Sequence, residues 1–139
     1  DLQTWKNLII SYKRLENVID HFMPLSRHNN RYCRTIATIS EIAINRASNI
    51  SDLRTAFAHN RYHKINLEAY ARHRTVEFRQ HGGSTNFTKM SAWIHFLAKM
   101  ITFAKQGKVK NNITLQDVPF LTESEKLYFR LRTKKLAAC

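Results

Sequence analysis

Thr75-Val76-Glu77-Phe78-Arg79-Gln80-His81-Gly82-Gly83 decides how this chain is read, because apolar and polar side chains alternate along it before a glycine pair. Successive side chains of a strand point to opposite faces, so Val76 and Phe78 are expected on one face and Glu77, Arg79 and His81 on the other. The glycines free the backbone to turn into a helix that begins near Phe87. A second extended run, Tyr62 to Leu67, lies upstream, and two such neighbours are expected to pair antiparallel. In that pairing His63, Ile65, Leu67, Val76 and Phe78 form the core face. Lys64, Asn66, Glu77 and Arg79 share the open face.

Working outward, Leu2 to Met23 repeats apolar residues at Trp5, Leu8, Ile9, Tyr12, Leu15, Val18, Ile19 and Phe22, the spacing of one helical face. Pro24 ends that helix, and Leu25 to Arg34 reads as a polar loop. A second helix is expected over Thr35 to Ala47 and a short one from Ser51, whose hydroxyl suits a cap. Downstream, Asn86 or Thr85 caps a helix with an expected buried stripe of Met90, Trp93, Ile94, Leu97, Ile101 and Ala104. After a loop from Lys108 to Leu121, Thr122-Glu123-Ser124-Glu125 has the form of a capping box and opens a last, basic helix. The fold class this predicts is α+β: one small antiparallel sheet covered on one face by helices, in a single domain over residues 1–139.

With 23 Lys and Arg against 10 Asp and Glu, the formal charge is +13, which favours anionic partners without choosing among nucleic acid, nucleotide and acidic polymer. Only Cys33 and Cys139 are present and no C-x-x-C occurs, so neither a disulfide scaffold nor a cysteine zinc site is indicated, and a cytoplasmic, reducing setting is expected. Lys89, His95 and Lys99 interrupt the most apolar stretch, Phe87 to Ala104, which argues against a membrane span. His59-x-x-x-His63 has the spacing of a helical metal pair but straddles a loop and a strand start, so zinc is not expected there. Cys33 reads as packing rather than as a nucleophile.

Ser26-Arg27-His28-Asn29-Asn30-Arg31-Tyr32-Cys33, then Arg61-Tyr62-His63-Lys64-Ile65-Asn66-Leu67, then the Thr75 to Gly83 run, then Trp93-Ile94 form an ordered set. That order resembles the amidoligase family, placed among the carboxylate-amine ligases of the glutamine-synthetase-like fold, over about Trp5 to Met100. Two departures stand out: Gly83-Ser84-Thr85 replaces the usual Gly-Thr, and the family's N-terminal half, with further acidic ligands and a His-rich strand, lies outside this sequence. The expectation is therefore the C-terminal part of a longer amidoligase domain.

The resemblance implies an ATP-dependent ligase that forms an amide through an acyl phosphate, with ATP and magnesium as cofactors. Its substrates would be a carboxylate and an amine, with peptides and cell-wall components as candidates. Glu77 is implied as the magnesium ligand, consistent with the hard oxygen donors that magnesium selects. Arg79 shares its face and offers a planar fork to a phosphate or acyl-phosphate oxygen, making Glu77 and Arg79 the catalytic candidates. Arg61, Asn66, Arg27 and Arg31 are the substrate- or phosphate-binding candidates, and His81 is a further one on the same face. Against this stands a solvated Glu77–Arg79 pair with no catalytic role. Two other readings also remain: a basic nucleic-acid-binding module using Arg27, Arg31, Arg34, Arg72 and Arg74, and an inactive scaffold that keeps the fold.

Overall fold

The computed structural model describes residues 1–138. Helix α1 (Leu2–His21) starts where the Asp1 carboxylate accepts a hydrogen bond from the Thr4 amide at 2.7 Å, filling one of the amide donors that a helix start leaves open. Leu8, Ile9, Tyr12, Leu15 and Ile19 are buried as their spacing predicts. So are Ile10, Ser11 and Glu16, because α1 is enclosed on more than one side. It packs against α5 (Phe87–Ala104), α2 (Glu41–Arg46) and α6 (Glu123–Ala137). Two buried polar side chains tie its first half down: Asn7 donates to the Ala104 carbonyl at 2.9 Å, and Ser11 accepts from the Val109 amide at 3.1 Å.

Phe22, just past α1, meets Trp93 and Phe96 of α5 and Phe129 of α6, with centroid separations of 6.4, 5.7 and 4.4 Å. Burying each such ring contributes about 1.5–3 kcal/mol, so this cluster is a principal tie between the two ends of the chain. The buried stripe of α5 is Trp93, Phe96, Met100 and Ala104, whereas Met90 and Ile94 face solvent. The expected stripe was thus rotated in part. Helix α5 is apolar on most of its circumference, so periodicity alone leaves its inward face open. Asn86 and Thr122 cap α5 and α6 as expected, the latter with a complete capping box.

The second helix is shorter than its pattern. Helix α2 begins after Ser40, and the preceding residues form turns with Ile36 and Ile39 buried, because Glu16 accepts hydrogen bonds from Thr35 Oγ1 and the Ile36 amide. Asn49, not Ser51, caps α3 (Ile50–Ala56).

The sheet consists of β1 (Ile65–Asn66) and β2 (Glu77–Phe78), antiparallel, with Ile65 opposite Phe78 and Asn66 opposite Glu77. A short helix α4 (Ala69–His73), closed by Arg74 at φ 56, joins them. Both strands are shorter than the extended runs of the sequence. Ahead of β1 the chain pairs with another segment: the Arg34 amide donates to Tyr62 at 2.7 Å and the Lys64 amide donates to Arg34 at 3.0 Å. Helices cover one face, where Phe78 stacks on Tyr12 at 6.0 Å and Ile65 is fully buried. The molecule is therefore α+β. None of its described helices is long and apolar enough to cross a membrane.

Candidate functional site

The segment carrying Glu77 and Arg79 is pinned to α1 by a buried polar chain. Tyr12 donates its hydroxyl to Gln80 Oε1 at 2.5 Å, and Gln80 Nε2 donates to Asp20 Oδ1 at 2.5 Å. Lys64 Nζ lies 2.8 Å from Asp20 and 3.4 Å from Glu16. Burial above all, then the nearby Cys33, Glu16 and Asp20, pushes the Tyr12 hydroxyl well above its ordinary pKa, so its proton stays available for the bond to Gln80. Lys64 was expected on the open face; it is instead fully buried. It falls at a bend before the two-residue strand, where side-chain alternation no longer holds. The Lys and Gln of the two motifs thus fix the backbone that presents the other motif residues.

Across the ladder, Asn66 Nδ2 donates to Glu77 Oε2 at 3.1 Å and Arg79 Nη1 donates to Glu77 Oε1 at 2.8 Å. Glu77 is exposed and Arg79 partly buried, so the pair opens to solvent on the side away from α1. Asn66, Glu77 and Arg79 share one face, as alternation predicts, but Asn66 does not lie open: it is buried, its amide bonded to Glu77 and its Oδ1 accepting from the Glu68 amide at 2.9 Å.

The loop and strand arginines gather around two tyrosines. Tyr32 and Tyr62 meet edge to face at 5.5 Å. The Arg31 guanidinium lies 5.4 Å from the Tyr32 ring, and those of Arg61 and Arg79 lie 4.9 and 5.5 Å from the Tyr62 ring. Arg61 also donates to the Tyr62 hydroxyl at 2.7 Å. That bond, reinforced by the charges of Arg61, Arg31 and Arg79, lowers the Tyr62 pKa. Asn30 holds this loop by accepting from the Tyr32 and Cys33 amides at 3.0 and 3.1 Å. Arg27 reaches from the other side, donating to the Arg79 carbonyl at 3.4 Å. A β-carbon at Gly82 would sit 3.6 Å from Arg27 Nε, an ordinary contact, and no glycine takes a positive φ, so neither this approach nor the backbone demands glycine there.

Arg27, Arg31, Arg61 and Asn66 are thus brought to the Glu77–Arg79 face. His81 is not joined to that pair by any of its contacts. The chain bends after β2, and the His81 ring stacks on Trp93 at 5.9 Å. Cys33 is buried with its thiol toward the Arg27 carbonyl at 3.3 Å, and burial raises its pKa against the opposing pull of Lys64 and Arg27. Cys139 lies outside the described residues. The sequence reading missed the buried set of Glu16, Asp20, Lys64 and Gln80. It also missed the Tyr32–Tyr62 pair, whose only signal was an aromatic residue beside an arginine in each of two motifs.

Among the described residues no group of three or more His, Cys, Asp and Glu side chains could enclose a metal ion. Magnesium commonly uses one or two carboxylates, completing its shell with water and substrate phosphates, and Glu77 fits that smaller requirement.

A sequence model of the family described as "putative amidoligase enzyme" matches residues 1–101, which runs from the N-terminus into the last turn of α5 and leaves α6 outside the match. No curated protein and no solved structure matches the chain.

Proposed function

The chain belongs to this amidoligase family, and on that premise we propose that its Glu77–Arg79 face serves an ATP-dependent amide-forming reaction. The observation that carries the reading is the gathering of Arg27, Arg31, Arg61 and Arg79 about the segment that holds Glu77. A carboxylate is a poor electrophile, and the oxide it would have to lose is a poor leaving group. Transfer of the terminal phosphoryl group of ATP to a carboxylate oxygen gives an acyl phosphate and ADP. The amine nitrogen then attacks the acyl carbon, the carbon–oxygen bond to phosphate breaks, and the amine proton passes to solvent or a base.

In this reading the guanidinium groups neutralise charge on the phosphoryl oxygens, and Arg79, held by Glu77 and the Tyr62 face, offers its fork to the oxygen on which charge develops. Asn66 orients Glu77. Bound magnesium would supply further charge neutralisation at the phosphates, with Glu77 as its protein ligand. The substrates are a carboxylate and an amine, with peptides and cell-wall components as candidates, and a cytoplasmic setting would provide the ATP.

A two-by-two-residue ladder offers only one wall for a nucleotide, so the chain alone is expected to bind ATP and magnesium weakly. Glu77→Gln in the native polypeptide tests the assignment, because it keeps the shape and removes the charge. ADP release coupled to amide formation should fall by about two orders of magnitude or more, with a raised magnesium requirement. Unchanged turnover per folded molecule would sink the role given to Glu77.

A further inference from the structure

Beside the Gly82-Gly83 segment, on the α5–α6 side of the chain, lies a half-open cavity of about 200 Å³ that the amidoligase chemistry above does not use. Its apolar wall is aromatic, with Phe22, Trp93 and Phe129 packed ring against ring. Its polar lining includes Lys89, Arg132, His81 and Ser84, whose hydroxyl accepts from the Asn86 amide at 3.0 Å. Among its described lining residues there is no carboxylate. Among the described residues no Asp or Glu lies within ion-pair distance of Lys89 or Arg132, and every acidic side chain is engaged elsewhere by a hydrogen bond or an ion pair. Both cations are partly buried, so charge is held beside an apolar wall where water screens it less than at an open surface.

We infer that this cavity is a binding site for a small organic anion: a single ring or short apolar body carrying a carboxylate or phosphate head. The ring lies against Trp93 and Phe22, and the head meets Lys89, Arg132 and Ser84. Size decides between this class and a nucleotide. A cavity of about 150 Å³ takes one benzene ring, so the present volume matches one ring and its head group, whereas a purine with its ribose and phosphates would have to extend well beyond the open side. Arg132 and Phe129 belong to α6, outside the region matched to the family, so the pocket depends on a part of the chain that the family pattern does not describe.

Chemical-shift titration of the chain by NMR tests this with four probes: 3-phenylpropionate, phenyl phosphate, inorganic phosphate and benzyl alcohol. Both ring-bearing anions should produce saturable shifts at the Trp93 indole and the Gly82, Gly83 and Ser84 amides, and the tighter of the two identifies the preferred head group. Inorganic phosphate lacks the ring and benzyl alcohol lacks the charge, so each should bind at least about tenfold more weakly. Lys89→Gln and Arg132→Gln, each on a partly exposed helix position whose folding the same spectrum reports, should each weaken binding by about tenfold or more. Glu77→Gln should leave it unchanged, which separates this site from the amidoligase face. Shifts that do not saturate, that centre on Arg31 and Arg61 instead, or that persist at equal affinity in both the Lys89 and Arg132 variants would overturn the assignment.

Discussion

Arg79 carries the sharpest division between a catalytic and a structural role. Lysine keeps its charge but loses the fork that meets Glu77 and the flat cation over Tyr62. If Arg79 stabilises the transition state, Arg79→Lys should lower turnover by about 2–4 kcal/mol in barrier with a smaller change in ATP binding. A merely structural pair, exposed as this one is, predicts a loss of at most about 1 kcal/mol in stability and intact turnover. Steady-state ADP release measured beside a thermal melt tells the two apart. Lys64 makes the opposite prediction. Lys64→Met leaves Asp20 and Glu16 without their buried cation, and a broken buried pair costs about 3–5 kcal/mol, a large part of a typical domain's stability. Urea denaturation should show that loss, and a midpoint equal to the parent's would refute the pinning role. The sequence made Glu77, Asn66 and Arg79 legible because alternation over even two paired residues sorts the faces. It hid Lys64 and Gln80 because their partners lie on α1, about 44 and 60 residues away, and no local pattern encodes a buried charge network.

The elements differ in how far local sequence discloses them, for a physical reason in each case. Helices α1 and α6 were legible from an apolar stripe and a capping box, signals that act within one or two turns. Helix α2 was overextended because Thr35 and Ile36 have no strong aversion to helix; the side chain of Glu16, on another helix, captures them into turns. The strand lengths were overestimated because a bend at Lys64 redirects the backbone toward Arg34, a partner that pairing of nearest neighbours would not suggest. The α1–α2 contact supplies a pH test at this scale. Arg14 donates to both Glu41 oxygens, at 2.7 and 3.3 Å, and this hydrogen bonding, against a smaller effect of burial, lowers the Glu41 pKa from its ordinary value near 4.5. A carboxylate with a depressed folded-state pKa stabilises the fold above its unfolded pKa and loses that contribution as pH falls through the folded value. Glu41→Gln should therefore cost about 1 kcal/mol at pH 7 and progressively less below pH 4.5. Paired urea titrations at the two ends of that range give the difference directly, and a cost independent of pH would show that the ion pair does not hold α2 to α1.

For the whole molecule, the charge surplus is arranged and not merely present. All 10 acidic side chains are engaged: Asp1, Asp52 and Asp117 accept from backbone amides at helix and turn starts, and the other seven lie in ion pairs. The formal +13 is therefore left largely to side chains such as Arg31, Arg61, Arg72 and Arg74, which are exposed. Two of these, Arg31 and Arg61, stand at the Tyr32–Tyr62 pair beside Glu77. A polyanion should consequently bind this face by charge without reading a base sequence, because no long helix carries that cluster into a groove and its arginines come from turns. Affinity for duplex DNA should fall with salt at a slope of about −0.9 per phosphate neutralised. If Arg31 and Arg61 each meet one phosphate, replacing both with glutamine should flatten the slope of log affinity against log salt by about 2. Fluorescence anisotropy of two unrelated duplexes across a salt series measures slope and selectivity together. Equal affinity for both duplexes with the flattened slope would place the arginine cluster as a general anion surface, as a phosphate-handling ligase face requires. A complex that survives high salt and prefers one duplex would instead make nucleic acid the proper ligand of that cluster.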